Sequence, residues 1–478
     1  MDVALLLLVL GVNLTFWTLV GGVRLANERW ARRRRAGASR ETSAPLGPDD
    51  VAVLIPAHNE EPVIAASIAS ALRLVPSQNV HVVADGCTDD TARIARDAGA
   101  QVVELDPGRG KAGGIEAAVR HFDIPGRFEV LLIVDADTEL DEHYLERGLP
   151  MLDEPDVVAL AGYAKASWRP AELDPMGRFL VAYRTRLYAV MQWLKYGQTW
   201  RWTNVTSIVP GFASMYRTHM LSRMDLNPPG LVIEDFNMTF EIHRKRLGKI
   251  AFRPGVNATT QDPDNLADYY RQVRRWFLGF WQTLRRHGFW ASGFSLALLL
   301  FIVEVMVASI GLVVLALALV FLGLSAAAAA LGVSGGWILD LQMSLSSSLD
   351  LWIVLFLLVL PDYLLTCLTA AAFRRPSLLW YGVGFLGLRL LDAIAALLTL
   401  PQAWSSRSTG RWVSPARRVV GLVPGTSGAA VLPGSPGAEH GSTAAPPGPD
   451  SGGPPPGETS GGPSPGETRH DDDGPSAT

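Results

Sequence analysis

Two aspartates, Asp135 and Asp137, stand one residue apart directly after the apolar run 130–134. Five branched apolar residues in a row are typical of a strand that is buried on both faces. In an open α/β sheet the ligand lies beyond the carboxyl ends of the strands, so this strand would carry both carboxylates to that crevice. Carboxylate oxygens bind divalent cations, which can in turn hold a diphosphate. An isolated Asp-x-Asp pair is better explained as a turn with helix-capping carboxylates, so the interpretation depends on the surrounding motifs.

Further polar motifs follow predicted strands or open predicted helices in a fixed order. GRGK at 108–111 opens a helix, where backbone N–H groups and a cation can meet an acidic or carbonyl-bearing group. It lacks the spacing and the Ser/Thr of a phosphate-binding Walker A loop. The other motifs are PAHNEE at 56–61, DGCTDD at 85–90, VPGF at 209–212, IED at 233–235 and QVRRW at 272–276.

Alternating strands and helices would position these motifs. The apolar patterns predict strands at 51–55, 80–84, 101–105 and 130–134, and helices at 61–74, 88–98 and 111–122. Such alternation favours an α/β domain with a mostly parallel, doubly wound sheet. The first strand is not followed by G-x-G-x-x-G, which argues against a dinucleotide site.

In this order the motifs resemble those of the family 2 inverting glycosyltransferases, especially membrane-bound synthases of the cellulose, hyaluronan, poly-N-acetylglucosamine and nodulation chitooligosaccharide type. The resemblance covers residues 51–290 and the flanking apolar segments. It implies a GT-A (Rossmann-like) catalytic domain. It also implies a UDP-sugar donor, with UDP-N-acetylglucosamine expected, and a β-linked glycan or glycolipid acceptor. The chain departs from the family at Ala84, where an Asp is usual, and at Ile233, where the T-E-D motif has Thr.

The resemblance gives the donor-binding motifs their roles. Asp85 matches the acid that contacts uracil, and Lys111 matches the basic residue near the nucleotide. Asp135 and Asp137 match the D-x-D pair that holds the diphosphate, with Asp137 as the ligand of Mg²⁺ or Mn²⁺. A bound cation would neutralise the charge that accumulates on the leaving UDP.

The remaining motifs match the catalytic and acceptor residues of the family. Asp235, with Glu234 beside it, ends T-E-D and is expected to be the general base, because the attacking sugar hydroxyl must lose a proton. Gln272, Arg275 and Trp276 match Q-x-x-R-W, which touches diphosphate and acceptor. Without the other motifs, Glu234-Asp235 would be a capping pair at a helix start.

The 48% of hydrophobic residues are clustered in membrane-length segments. The run 3–23 lacks a basic start and a cleavage site, so we predict an uncleaved anchor. Seven arginines between residues 24 and 40 follow it, which by the positive-inside rule places them, and the catalytic domain, in the cytoplasm. A nucleic-acid-binding arm is disfavoured because the cluster abuts the apolar run, and no nucleic-acid partner is expected.

Aromatic residues and arginines share the helical stretches 178–202 and 266–290, as in helices that lie in a membrane interface. The apolar run 294–333 fits one long span with an Ala-rich segment, or a tight hairpin. Two clearer spans at 351–373 and 378–400 flank Arg374 and Arg375. Placing those two arginines inside requires the single span, and the tail beyond the last span is then extracytoplasmic.

With a single span at 294–333, the arginines after the last span lie outside and violate the positive-inside rule; they are Arg407, Arg411, Arg417 and Arg418. The spans also contain Glu304, Asp362, Arg389 and Asp392, which need partners or a polar pathway. Arg389 and Asp392 are three residues apart and can pair along one helix. Cys87 and Cys367 are the only cysteines, so neither a disulfide framework nor a zinc cluster is predicted.

The chain is therefore expected to be a multi-pass membrane enzyme. The predicted regions are an N-terminal transmembrane helix at 1–23, a basic linker at 24–50, the GT-A domain at 51–265, an interfacial helix at 266–293, about three transmembrane helices at 294–402, and a disordered Gly/Pro-rich tail at 403–478. Q-x-x-R-W favours repeated sugar addition. The alternatives are a single addition to a lipid carrier, and a non-catalytic nucleotide-sugar-binding or export subunit; an accessory membrane subunit is left open.

Overall fold

The computed structural model describes most of the chain between residues 45 and 418. The described residues are 22–23, 26, 45–195, 200–201, 203–332, 336–348, 358–405 and 417–418. The predicted N-terminal anchor, except for Gly22 and Val23, lies outside them. The arginine cluster between residues 24 and 40 and the tail beyond Pro424 lie outside them as well.

One sheet of eight strands organises the catalytic domain. Its strands are β1 (Val51–Ala57), β2 (Val80–Asp85), β3 (Gln101–Leu105), β4 (Val130–Val134), β5 (Thr138–Leu140), β6 (Val157–Ala166), β7 (Ala213–Arg217) and β8 (Lys249–Thr260). The order across the sheet is β3-β2-β1-β4-β7-β6-β8-β5. Because β4 lies at the centre, the residues that follow it reach the middle of one sheet edge.

The first four strands form the parallel half that the sequence predicts. β1 pairs in parallel with both β2 and β4, and β2 pairs in parallel with β3. The connecting helices are α1 (Ile64–Leu72), α2 (Thr91–Asp97) and α3 (Gly110–His121). Every residue of β1 and of β4 is buried, as expected for continuous apolar runs between two helix layers. The predicted strands and helices of this half are confirmed, although α1 and α2 begin about three residues later than predicted.

The second half of the sheet contains both parallel and antiparallel pairs. β7 is antiparallel to β4 and to β6, and β8 is parallel to β6 but antiparallel to β5. β7 enters between β4 and β6 after a long excursion of the chain, so its direction depends on tertiary pairing rather than on local alternation. The short helix α4 (Ile124–Arg127) precedes β4, and the helices after β4 are α5 (Tyr144–Leu152), α6 (Pro175–Val190), α7 (Glu234–Arg244) and α8 (Leu266–His287).

Five more helices follow among the described residues: α9 (Gly293–Ala330), α10 (Trp337–Ser348), α11 (Leu360–Phe373), α12 (Ser377–Gly382) and α13 (Phe385–Ser405). Among the described residues, α9 and α13 are long and apolar enough to cross a membrane, which is weak evidence for membrane spans. α9 is one helix of 38 residues rather than a hairpin. The segment 378–400 does not form one continuous helix, because α12 ends before α13 begins.

α13 packs along α8 rather than standing apart from the catalytic domain. The indole Nε1 of Trp281 donates to the carbonyl of Ala396 (3.1 Å), and Arg274 donates to the Gln402 side chain (2.9 Å). Beyond α13, the backbone N–H of Arg418 donates to the Gln261 side chain (3.0 Å). The prediction that this arginine lies across the membrane from the catalytic domain is therefore wrong. The error concerns the side on which the chain after α13 lies, since α13 itself is long and apolar enough to cross a membrane.

Candidate active site

Four of the sequence motifs meet at the edge of the sheet where β4 ends. Asp135 follows β4, Lys111 lies in the first turn of α3, and Glu234 is the first residue of α7. The Lys111 Nζ lies 2.8 Å from Asp135 Oδ1 and 2.8 Å from Glu234 Oε1. Lys111 therefore joins the predicted diphosphate motif to the predicted catalytic pair.

These two ion pairs determine the protonation states of Lys111 and Glu234. Burial favours the neutral amine, but the carboxylates of Asp135 and Glu234 raise the pKa of Lys111 above its usual range. Burial also opposes ionisation of Glu234, and Lys111 overcomes this and leaves the pKa of that carboxyl below its usual range. Lys111 is thus a fixed cation, and Glu234 is a fixed anion that holds no proton near neutral pH.

Asp235, the neighbour of Glu234, has the opposite environment. Its Oδ2 accepts from the backbone N–H of Gly211 (3.1 Å), and its Oδ1 accepts from the backbone N–H of Phe236 (2.7 Å). Burial, reinforced by the negative charge of Glu234, raises the pKa of Asp235 to about 7. A carboxyl group that titrates near neutral pH can accept and release a proton under working conditions, which suits a general base.

Gly211 is a site residue to which sequence reasoning gave no role. A Cβ atom at this position would lie 3.1 Å from Lys111 Nζ and 3.3 Å from Glu234 Oε1. Only a residue without a side chain lets the backbone approach this closely and donate to Asp235. The Pro-Gly pair at 210–211 was the available signal.

Asp137 has a partner from far along the chain. Its Oδ1 accepts from the hydroxyls of Thr138 (3.2 Å) and Thr260 (3.3 Å), and its Oδ2 lies 2.5 Å from a guanidinium nitrogen of Arg417. The same guanidinium donates two hydrogen bonds to Glu60 (2.8 and 3.1 Å). Arg417 therefore connects the Asp-x-Asp motif to the polar turn after β1 by contacting a carboxylate of each.

Arg417 contradicts the predicted topology of the tail. The prediction placed it outside the membrane, whereas its guanidinium lies in the candidate site, against Glu60 and Asp137. The available signal was the violation of the positive-inside rule by the arginines after the last span. Glu60, which is 1% exposed, was recognised only as part of a polar turn.

Asp135 and Asp137 suit a hard divalent cation by their chemistry. Burial and the charge of Asp137 raise the pKa of Asp135 despite the opposing effect of Lys111, so added positive charge would favour the ionised form. Within the described part of the chain, no group of three or more His, Cys, Asp or Glu residues could hold a metal ion. A cation here would need further oxygen ligands, such as those of a diphosphate. It would also compete with Arg417 for Asp137.

Asp85 holds the glycine-containing loop. Its two carboxylate oxygens accept from the backbone N–H groups of Arg109 (2.6 Å) and Gly110 (2.8 Å), and the residue is 2% exposed. This places the carboxylate at the start of α3, where it satisfies free backbone donors. Its predicted contact with uracil stays a prediction.

The predicted acceptor motif lies on α8 and is held by Arg184 of α6. Arg184 is fully buried, donates to the Gln272 side chain (2.6 Å), and lies 4.4 Å from the ring centroid of Trp276. The charge of Arg275 contributes to the lowered pKa of Glu234. The structure thus brings α8 to the predicted catalytic pair, and sequence reasoning missed the contacts of Arg184 with the predicted acceptor motif.

Both departures from the expected motifs have a place in the packing. Ile233 packs against α8, since a Cβ atom at Gly279 would lie 2.8 Å from its side chain. The apolar side chain therefore contacts the neighbouring helix where the motif has Thr. Ala84 is 1% exposed within β2.

A mixed α/β sheet that gathers buried carboxylates and a lysine at one edge places this domain in the GT-A class of glycosyltransferase folds. Residues 48–279 match the model of the family described as glycosyltransferase like family 2. The chain therefore contains a family 2 glycosyltransferase domain.

Three curated relatives match parts of the chain. The probable glycosyltransferase YdaM of Bacillus subtilis (strain 168) is 26% identical over 242 residues, which cover 48% of this chain and 54% of the relative. The dolichyl-phosphate hexose transferase of Haloferax volcanii is 35% identical over 135 residues, 28% of this chain and 57% of the relative. The N-acetylglucosaminyltransferase of Azorhizobium caulinodans is 27% identical over 257 residues, 48% of this chain and 59% of the relative. The chain spans little more than half the length of these relatives.

A solved structure is similar over a larger part of the chain. It is a mannosyltransferase from Pyrobaculum calidifontis in complex with GDP-Man and Mn²⁺, with 18% identity. The match covers 82% of this chain and 99% of that one at a TM-score of 0.43.

Proposed function

We propose that the protein is a membrane-bound inverting glycosyltransferase, with its catalytic domain in the cytoplasm, that extends a β-linked glycan from a UDP-sugar. The observation that carries this proposal is the pair Glu234 and Asp235. One carboxylate is kept ionised by Lys111, and its neighbour has a pKa raised to about 7. This difference gives two adjacent acids separate tasks.

Asp235 accepts the proton of the acceptor hydroxyl in this mechanism. As the hydroxyl oxygen forms its bond to the anomeric carbon, its proton passes to Asp235 while the bond to UDP breaks on the opposite face. The backbone N–H of Gly211 orients the carboxylate, 3.1 Å from Oδ2. Glu234, fixed in its charged form, raises the proton affinity of Asp235.

Positive charge on the donor side would stabilise the leaving UDP. We assign Asp137, with Asp135, to hold Mg²⁺ or Mn²⁺, which supplies a charge that neutralises the developing diphosphate. Lys111 is a further fixed cation next to Asp135 (2.8 Å). Asp85 shapes the loop on which the nucleotide would lie through its bonds to Arg109 and Gly110.

The acceptor would be held by α8. Trp276 presents an indole on which a sugar face can stack, and Arg184 fixes its position at 4.4 Å. A glycan terminus held there favours repeated addition over release. The name of the Azorhizobium relative supports N-acetylglucosamine as the transferred sugar.

A single addition to a lipid carrier is the second candidate, because a Haloferax relative is named a dolichyl-phosphate hexose transferase. A non-catalytic nucleotide-sugar-binding or export subunit would be expected to have lost at least one acid. Asp85, Asp137 and Asp235 are all present.

Membranes that contain the full chain should be incubated with a panel of labelled UDP-sugars, with Asp235→Asn membranes as the control. We expect incorporation from UDP-N-acetylglucosamine in the wild type only. With excess donor and scarce acceptor, long products beside untouched acceptor support processive extension. A single added sugar in a lipid-soluble product supports the lipid-carrier reaction. Equal incorporation by both proteins would contradict the proposed catalytic site.

A further inference from the structure

A cavity of about 280 Å³ adjoins the candidate active site, since Thr259 in its wall precedes Thr260, which donates to Asp137. Its walls come from β6, β8, α6 and the end of α11, and none of them is a residue assigned above to donor, acceptor or catalysis. The walls include Tyr163, Lys165, Trp168, Tyr188, Phe373 and Arg375.

Two cations, Lys165 and Arg375, line this cavity. Neither Lys165 nor Arg375 forms an ion pair with any residue in the part of the chain that the structure describes. Both side chains are partly buried. Arg375 lies 5.6 Å from the ring centroid of Trp168. Partly buried cations that lack an anion are costly, so this arrangement favours an anionic ligand.

The charges around Lys165 support this reading. Burial lowers the pKa of Lys165, and the positive charges of Arg147 and Arg375 lower it further against the opposing effect of Asp141. Asp141 lies 3.6 Å from Arg147, so that carboxylate already has a cation of its own. The local surplus of charge at the cavity is therefore positive.

The position of Arg375 indicates where the ligand comes from. Arg375 lies two residues beyond α11, whose side chains Leu364 and Leu368 are 52% and 59% exposed. Trp380, in α12, is 81% exposed. Exposed apolar residues that end at arginines and tryptophans are typical of the level of lipid headgroups. The volume lies near the lower end of ligand pockets, which suits a headgroup rather than a whole lipid.

We propose that this cavity binds the phosphate group of an anionic membrane lipid, with Lys165 and Arg375 as its ligands and Trp168 and Tyr188 among its walls. Charge-assisted hydrogen bonds to phosphate oxygens would supply the partners that both cations lack. The inference rests on the membrane attachment in the proposed function, but not on the transfer reaction. A soluble phosphate is the other source of the same chemistry.

Binding is measured with the full chain in lipid nanodiscs and detergent. Native mass spectrometry would count phosphatidylglycerol and phosphatidylcholine retained by the wild type, by Lys165→Gln/Arg375→Gln, and by Arg374→Gln, which changes an exposed arginine that does not line the cavity. We expect the wild type to retain phosphatidylglycerol selectively. The double variant should lose roughly 10- to 30-fold in affinity, and Arg374→Gln should match the wild type. Equal retention by wild type and double variant would overturn the proposal.

Two further variants serve as controls, one for the fold and one for the transfer reaction. Lys165→Arg/Arg375→Lys retains both charges and should retain the lipid, which separates loss of charge from loss of fold. Asp235→Asn should bind phosphatidylglycerol like the wild type, so failure of the transfer reaction is distinguishable from failure of the lipid site. Displacement of the lipid by millimolar inorganic phosphate, or stabilisation by phosphate alone, would assign the cavity to a soluble phosphate and overturn the lipid source.

Discussion

The carboxylates of the candidate site are neutralised by two cations that come from different parts of the chain. Asp135 and Glu234 share Lys111, which lies on a helix of the same domain and is 17% exposed. Asp137 is paired with Arg417, which follows the last helix and lies 357 positions from its second partner, Glu60. The first cation belongs to the domain that the family model covers, and the second lies beyond its end at residue 279. Lys111 is therefore carried by the family domain itself, whereas Arg417 reaches the site from the chain beyond that domain.

The largest expected effect follows from removing the proton acceptor beside Lys111. Asp235→Asn keeps the size of the side chain but cannot take up the acceptor proton, so kcat should fall by about 10²–10⁴-fold. Binding of UDP should change little. Calorimetric UDP titration and initial rates would separate these quantities, with Asp225→Asn, at the Arg286 ion pair, as the matched control. Near-normal turnover would refute the assignment.

Replacing Lys111 tests whether its ion pairs stabilise the folded protein. Lys111→Met leaves Asp135 and Glu234 partly or fully buried without their cation, and should lower the free energy of unfolding by about 3–5 kcal/mol. Lys111→Arg should recover part of that loss. Thermal unfolding in detergent measures both. If Lys111→Met unfolds at the wild-type temperature, the bridge is not structural.

The raised pKa of Asp235 predicts the pH profile. A general base acts in its ionised form, so activity is lost as pH falls through about 7 and is restored above it. The rate should rise roughly tenfold from about pH 6 to about pH 8. The pH dependence of kcat/KM under saturating metal gives this value. A flat profile between those limits would show that the carboxyl titrates at the lower pH usual for Asp.

Removing Arg417 should give the smallest effect, in the opposite direction. Arg417→Gln frees Asp137 for Mg²⁺ or Mn²⁺, so the metal concentration for half-maximal activity should fall about three- to tenfold. Arg418→Gln is the matched control, because Arg418 lies near Asp264 (3.3 Å) rather than the metal motif. An unchanged requirement in Arg417→Gln would show that the pair does not compete with metal. Full activity in excess EDTA would remove the metal role altogether.

The contrast between Lys111, within the domain, and Arg417, from far along the chain, also explains which features the sequence could predict. The strands β1 to β4 and the position of Asp135 and Asp137 follow from local runs of branched apolar residues, which mark buried strands without knowledge of the rest of the fold. The antiparallel insertion of β7 depends on which strands meet after a long excursion, and no local pattern encodes it.

The contact of Arg417 with Asp137 could not be predicted from local sequence patterns, for a similar reason. It depends on the path of every helix between them, including the packing of α13 along α8, which the composition of each segment does not contain. The role of Gly211 depends on distances to Lys111 and Glu234, which spacing in the sequence does not contain.

The contact between Ile233 and Gly279 also has a mechanical consequence. Ile233 immediately precedes the catalytic pair, and it packs on the glycine of a helix that we expect to lie at the membrane surface. The missing side chain at Gly279 lets the two backbones approach closely and leaves little slack between them. A displacement of α8 would therefore be passed to Ile233 and to the residue pair that follows it, which includes the proposed base Asp235.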